Sequence, residues 1–183
     1  MSLEELATEH GGRRSVGFSQ IAGLGKNWAQ LSPQSQKGVC GGLSLIWLAS
    51  RKLDMTTTVF AEKYGPGLFK YAEHAQELGA DNRSGQAAMD NLAKSFSLER
   101  AGAEVTVLND NVRQWILHGL AQYVFIALTG HAVAADVSKK PKVLFFDPNF
   151  GVFSFPDTLK FFLFFRDYLQ YANQTACFVK YYR

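Results

Sequence analysis

The sequence predicts an α+β fold in which the helices precede most of the strands. Apolar residues recur at helical spacing in three segments between residues 43 and 101. Five short apolar runs with the composition of strands follow between residues 123 and 182. Helical segments followed by a series of strands are typical of the α+β class. The 183 residues, 47% of them hydrophobic, suit one domain with a single core.

The first 37 residues are rich in Gly, Ser, Gln and charged side chains, and their apolar positions are scattered. We predict an ill-defined N-terminal arm over residues 1–37 that docks late, followed by a single domain over residues 38–183. The start MSLEELATEHGGRR lacks the basic and then apolar order of a signal peptide. No apolar run approaches the ~20 residues that a membrane-spanning helix needs.

Helices are predicted where apolar residues repeat every three to four positions. From Leu43 to Leu48 five of six residues are apolar, which predicts a buried helix. Two amphipathic helices are predicted over residues 68–78 and 84–101. After Gly102 the period changes to two, which predicts a strand around Val105, and Asn109 or Asp110 is suited to cap a short helix over residues 112–116.

The second half of the chain predicts an antiparallel meander that ends in a helix and a last strand. Glycine and proline turns separate its apolar runs, as expected of neighbouring strands. The strands are predicted at 123–128, 131–137, 143–147, 151–155 and 176–182, and the helix at 156–171.

Charge and cysteine content exclude several classes of function. The chain has 19 basic and 16 acidic residues, without basic clusters, so nucleic-acid binding is not indicated. With only two cysteines, a disulfide framework is not expected and a reducing compartment fits. Neither CxxC nor HExxH occurs, so we expect no metal site and no cofactor.

Cys40 is the candidate nucleophile because it opens the predicted buried helix. A helix N-terminus or a neighbouring imidazolium lowers the pKa of a thiol to about 3.5–7.5. The following Gly41 and Gly42 weaken a helix, which a site that admits a substrate backbone can justify. Taken alone, a free cysteine is as often a small buried apolar residue, and Cys177, inside a strand pattern, is expected to be one.

His131 and Asp147 are the candidate base and orienting acid. They lie eight residues on either side of Lys139, in the turn SKKP. A hairpin closed symmetrically there would oppose them directly, close enough for the carboxylate to bond the imidazole and fix its tautomer. A one-residue slip would separate them onto opposite faces. Asp136 and Asn149 remain rival orienters for the histidine.

The oxyanion hole has two candidate side chains upstream of the cysteine. Gln34 and Gln36 lie within six residues of Cys40, where an amide could join the Cys40 backbone N–H in binding an oxyanion. Glutamine in a polar stretch is usually only solvated. The remaining histidines, at positions 10, 74 and 118, are accounted for by solvation or by the end of a helix.

The chain contains GVCGGLSLIWL around Cys40, GHAVAA around His131 and FDPNFGVF around Asp147. Together these three segments resemble the YopT-type (AvrPphB-like) cysteine peptidase family of the papain-like clan. The resemblance implies a papain-like cysteine protease fold, with a central buried helix packed on an antiparallel β-sheet and one catalytic domain over residues 38–183. It also implies that Cys40 is the nucleophile, His131 the base and Asp147 the residue that orients the histidine.

The same resemblance implies a bacterial effector that is secreted into a host cell by a route without the usual signal peptide. Such an effector would act as an endopeptidase on a specific host protein. The order Cys, His, Asp equally serves an acyltransferase, a transglutaminase-like enzyme or a glutamine deamidase, because these differ in acceptor and groove. A non-catalytic binding domain is a third alternative, which the intact set of three residues disfavours.

Overall fold

The computed structural model describes residues 1–22, 29, 31–33, 38–56, 70, 72–74, 90, 93–108 and 121–183. Seven antiparallel strands form one sheet in the order β1-β6-β5-β4-β3-β7-β2. Helices and antiparallel strands in this arrangement confirm the α+β class. The elements with both ends in this part of the chain are α1 (Leu3–Glu9), β1 (Arg13–Gly17), α2 (Cys40–Lys52), β2 (Val105–Leu108), β3 (Tyr123–Leu128), β4 (His131–Asp136), β5 (Val143–Asp147), β6 (Gly151–Phe155), α3 (Thr158–Tyr171) and β7 (Ala176–Tyr182).

Both faces of the sheet are covered. On one side, Val133 and Phe145 pack in a core with α1 and α3. On the other, Ala134 and Phe146 pack in a second core with α2. Because successive side chains point to opposite faces, strands buried on both sides are apolar almost without interruption. This accounts for the continuous apolar runs of β3 to β6, which pair in chain order as the predicted meander.

Helix α2 is buried along most of its length, as its sequence predicts. Its residues from Gly42 to Ser50 are all buried, and the Trp47 ring stacks on Phe146 with centroids 5.2 Å apart. Its last turn is tied to the sheet, since Arg51 Nε donates to Asp136 Oδ2 at 2.8 Å. The helix that begins at Cys40 is therefore held rigidly against β3, β4 and β5.

The N-terminus differs from the predicted ill-defined arm. Ser2 and Glu5 form a capping box at the start of α1, whose Leu3, Leu6 and Ala7 are buried. Strand β1 then pairs with β6 and extends the sheet. The capping box and one apolar face are enough to form and dock a short helix, although the segment as a whole is polar.

Two predicted helices are altered or lie outside the described residues. The helix predicted over 84–101 stops early: residues 93–95 are helical, Ser97 has φ +61°, and Arg100 bridges to Tyr182. Of the helix predicted over 68–78, residues 70 and 72–74 are described and are helical. The helix predicted over 112–116 falls outside the described part. Within that part, no helix is long and apolar enough to cross a membrane.

Candidate active site

Cys40 is the first residue of α2 and is half-buried. The helix has no side-chain cap at its N-cap residue, Val39, and no acidic residue in its first turn. The positive end of the helix dipole is therefore not offset by an acidic side chain of that turn. Gly38, with φ +140°, lies in a region that favours glycine and turns the chain into the helix. Cys40 therefore lies at the positive end of the α2 dipole.

The position of α2 is fixed by two close contacts. A side chain at Gly42 would place its Cβ 2.1 Å from the backbone oxygen of Ala72. Ser44 Oγ donates to the backbone oxygen of Ala132, next to His131, at 3.1 Å. Gly42 therefore serves helix packing, which differs from the expectation that it leaves room for a substrate backbone.

His131 and Asp147 lie together at one end of the sheet, where β4 begins and β5 ends. His131 Nε2 and Asp147 Oδ1 are 3.0 Å apart, and the two side chains are 18% and 1% exposed. Since the carboxylate engages Nε2, Nδ1 is the ring nitrogen left for Cys40, which interacts with His131 closely enough to raise the pKa of the ring. A carboxylate on one ring nitrogen, with the other left for a thiol, is the arrangement that a cysteine hydrolase requires.

The register of the hairpin differs from the symmetrical one. Ala134 pairs with Phe146 and Asp136 with Leu144, so the ladder is centred on Lys140. If this register continued to the end of β5, Asp147 would lie opposite Val133, two residues after His131. The pair is therefore diagonal and not directly opposed. A displacement of two residues keeps both side chains on one face, within reach of each other.

Asp147 is held by more than the histidine. Its Oδ1 also accepts from the Asn149 backbone N–H at 2.8 Å, and its Oδ2 accepts from the Tyr168 hydroxyl at 2.8 Å. A buried carboxylate needs such donors because desolvation is costly. The three hydrogen bonds fix both oxygens, and with them the orientation of the His131 ring.

The protonated form of His131 is favoured by its neighbours. Burial lowers the pKa of the imidazole, but hydrogen bonds and charge interactions with Asp147 and Cys40 outweigh burial and raise that pKa from 6.5 to about 9. At neutral pH the ring is an imidazolium. It can therefore stabilise a thiolate and later give a proton to a leaving group.

The rival orienters are engaged elsewhere. Asp136 lies at the far end of β4, where it binds Arg51 and the Ser138 hydroxyl. The Asn149 side chain accepts from Gln20 Nε2 at 2.7 Å. Neither side chain is hydrogen-bonded to His131, which leaves Asp147 as its carboxylate partner.

The remaining candidates lie apart from this cluster or outside the described residues. His10 is bonded to Asp167, 2.9 Å away, and His74 is exposed. Cys177 is buried at 3% exposure, and burial raises the pKa of its thiol to about 12. Gln34, Gln36 and residue 118 are outside the described part, so the oxyanion assignment stays a prediction. No group of three His, Cys, Asp or Glu side chains suited to a metal ion occurs among the described residues.

Two residues of the site were missed from the sequence. Tyr168 lies in the aromatic segment FFLFFRDYLQ, and its ring packs against Phe145, Phe164 and Phe165. Gln20 lies in the N-terminal segment; its Oε1 accepts from the Val39 backbone N–H at 3.2 Å, and its backbone N–H donates to Pro148 O at 2.6 Å. Gln20 thus joins the start of α2 to the loop after Asp147.

One protein-family model matches part of the chain. Residues 117–176 match the model of the Yersinia/Haemophilus virulence surface antigen family of C58 peptidases. No curated protein matches the chain by sequence.

Two solved structures share the fold. The Pseudomonas avirulence protein AvrPphB aligns with a TM-score of 0.59 and 17% identity over 81% of this chain and 92% of its own. PatoxP, a cysteine protease-like domain of the Photorhabdus asymbiotica toxin PaTox, aligns with a TM-score of 0.56 and 14% identity over 98% of this chain and 56% of its own. The predicted α+β fold, with a buried helix packed on an antiparallel sheet, and the resemblance to YopT-type cysteine peptidases are confirmed.

Proposed function

We propose that this chain is a cysteine endopeptidase of the YopT type, with Cys40 as nucleophile, His131 as base and acid, and Asp147 as the group that orients the histidine. One observation carries the proposal: the His131 ring is hydrogen-bonded to Asp147 at 3.0 Å, and interactions with both Asp147 and Cys40 raise the pKa of that ring. The catalytic domain comprises residues 38–183, to whose sheet β1 adds a strand.

Acylation begins with the Cys40 thiolate. The sulfur attacks the carbonyl carbon of the scissile peptide bond, and the carbonyl oxygen becomes an oxyanion. The tetrahedral intermediate collapses as the C–N bond breaks and His131 gives its Nδ1 proton to the departing amine. The products are a thioester on Cys40 and a new N-terminus on the released segment.

Deacylation returns the enzyme to its starting state. His131, now neutral, takes a proton from a water molecule that attacks the thioester carbonyl. The C–S bond breaks, leaving a carboxylic acid on the substrate and the thiolate–imidazolium pair on the enzyme. Asp147 stabilises the imidazolium whenever it forms and does not itself take up the proton.

The oxyanion is bound at the N-terminus of α2. The Cys40 backbone N–H is the first donor, and the side chain of Gln34 or Gln36 is proposed as the second. The helix N-terminus adds its partial positive charge at the same point. Since Ser44 and Arg51 tie α2 to β4, the Cys40 backbone N–H is positioned before a substrate binds.

The proposed substrate is a specific host protein, and the proposed setting is a host cell entered without the usual signal peptide. The resemblance to a family of virulence proteins supports this setting. A reducing compartment suits it, because the described cysteines are free and the proposed nucleophile must stay reduced.

The test is mass spectrometry of a host-cell lysate incubated with the wild-type protein or with Cys40→Ala. New peptide N-termini in the wild-type sample alone are the expected result. A side-chain mass shift without cleavage would instead identify an acyltransferase, a transglutaminase-like enzyme or a deamidase. If the lysates treated with the two proteins are identical, the chain is a non-catalytic binding domain and the proposal is overturned.

A further inference from the structure

The hydroxyl of Tyr168 is buried behind the proposed triad. Tyr168 is 2% exposed and Asp147 is 1% exposed, and their O–H···O distance is 2.8 Å. Helix α3 carries the tyrosine on the side of the sheet opposite α2. The tyrosine thus reaches Asp147 from the α3 side of the sheet.

We propose that Tyr168 is a positioning residue of the triad, whose hydroxyl holds the Asp147 carboxylate in the rotation that presents Oδ1 to His131. The inference rests on the proposed function. Asp147 Oδ1 already accepts from His131 and from the Asn149 backbone. Among the described residues, Tyr168 is the donor to Oδ2. Without this hydrogen bond the carboxylate can turn about its Cβ–Cγ bond.

Packing alone does not explain a tyrosine at this position. Its ring lies against Phe145 at 5.2 Å, Phe164 at 5.8 Å and Phe165 at 5.7 Å between centroids. A phenylalanine would fill this aromatic cluster without burying a hydroxyl, which is costly unless it is hydrogen-bonded. The hydroxyl is thus explained by the carboxylate that it contacts.

The hydroxyl remains a donor at all working pH values. Burial, followed by the negative charge of Asp147 and the hydrogen bond to it, raises the pKa of Tyr168 well above its usual value. The groups that act on the His131 ring are Cys40 on α2 and Asp147 on β5, and those that act on the Tyr168 hydroxyl are Asp147, Cys40 and Tyr171. Without the Tyr168 hydroxyl the Asp147 carboxylate can rotate away from the His131 ring, which weakens the hydrogen bond that favours the imidazolium and lowers the pKa of the ring.

Tyr168→Phe tests the hydroxyl alone, because it retains the ring. The chain has four histidines, so the His131 ring can be followed by NMR during a pH titration and assigned with His131→Ala. In the wild type it should titrate near pH 9. In Tyr168→Phe we expect a midpoint lower by about one pH unit, and a kcat about tenfold lower with KM unchanged, as expected for one hydrogen bond to a charged group.

A matched control comes from a second buried tyrosine. Tyr182, 1% exposed, donates to Asp90 Oδ1 at 3.1 Å in a different part of the protein. Tyr182→Phe also removes one buried hydroxyl bonded to a carboxylate. It should leave the His131 midpoint and kcat unchanged, whatever it does to the melting temperature.

A double mutant separates a positioning role from a structural one. In an Asp147→Asn background, Tyr168→Phe should cause no further change in the His131 midpoint, since the effect passes through Asp147. An unchanged midpoint in Tyr168→Phe itself, or an equal shift in Tyr182→Phe, would overturn the inference. The titration needs no substrate, so it remains readable even if the proposed endopeptidase activity fails in the lysate experiment.

Discussion

The pH dependence of Cys40 alkylation tests the proposed nucleophile most directly. With a pKa of about 9, the His131 ring is protonated in about 99% of molecules at pH 7, against about a quarter for a histidine of pKa 6.5. A full positive charge therefore lies beside the sulfur throughout the physiological range. Alkylation of Cys40 by iodoacetamide should therefore stay fast at mildly acidic pH.

The magnitude follows from comparison with an isolated thiol. At pH 6 a thiol of pKa 8.5 is thiolate in only about 0.3% of molecules. His131→Ala removes the counter-charge and should lower the alkylation rate of Cys40 at pH 6 by tenfold or more. The difference should shrink above pH 9, where the ring of the wild type also loses its charge.

The assay measures the initial rate of iodoacetamide labelling between pH 5 and 10, with the label located by peptide mapping. Cys177 is an internal control, because burial raises its pKa to about 12 and limits access to it. Cys40→Ala gives the background. A wild-type rate that rises only around pH 8–9 and does not change in His131→Ala would mean that no activated nucleophile exists here.

Three further predictions concern turnover and stability. Cys40→Ala should abolish cleavage and leave the melting temperature nearly unchanged; an unfolded variant whose remaining folded fraction is fully active would contradict the assignment. Because the pKa of His131 is raised from 6.5 to about 9, its stabilising effect is complete below pH 6.5 and is lost as pH rises through 9, by up to about 3 kcal/mol. Urea unfolding at pH 6.5 and 10 measures this loss, and the same loss in His131→Ala would refute it. Gly42→Ala should cost at least about 1 kcal/mol and slow Cys40 alkylation, since its Cβ would lie 2.1 Å from Ala72 O; a melting temperature equal to that of wild type would show that the two helices can separate at no cost.

Much of the fold could be predicted from the sequence because the strands carry strong local signals. The runs from Tyr123 to Leu128 and from Val143 to Asp147 are flanked by turn residues and have the bounds that the structure gives them. Proximity of His131 and Asp147 follows from one short hairpin. The exact register does not, because it depends on the turn before Val143, and the ladder is displaced by two residues from the symmetrical one.

Other parts of the site could not be predicted because their contacts join segments that are distant in sequence. Nothing local marks Gln20 as the partner of both Val39 and Asn149. The hydroxyl of Tyr168 acquires its role only when α3 docks on the sheet. For the N-terminal helix a local signal did exist, the capping box of Ser2 and Glu5, but the polar average of the segment obscured it.

The separation of these contacts along the chain has a consequence for folding. The hydrogen bond from Ser44 to Ala132 spans 88 positions, and that from Gln20 to Asn149 spans 129. Contacts of such long range form late, after the entropy of closing large loops has been overcome. During synthesis, the proposed nucleophile Cys40 should therefore react as an ordinary thiol until the last strands and α3 are in place.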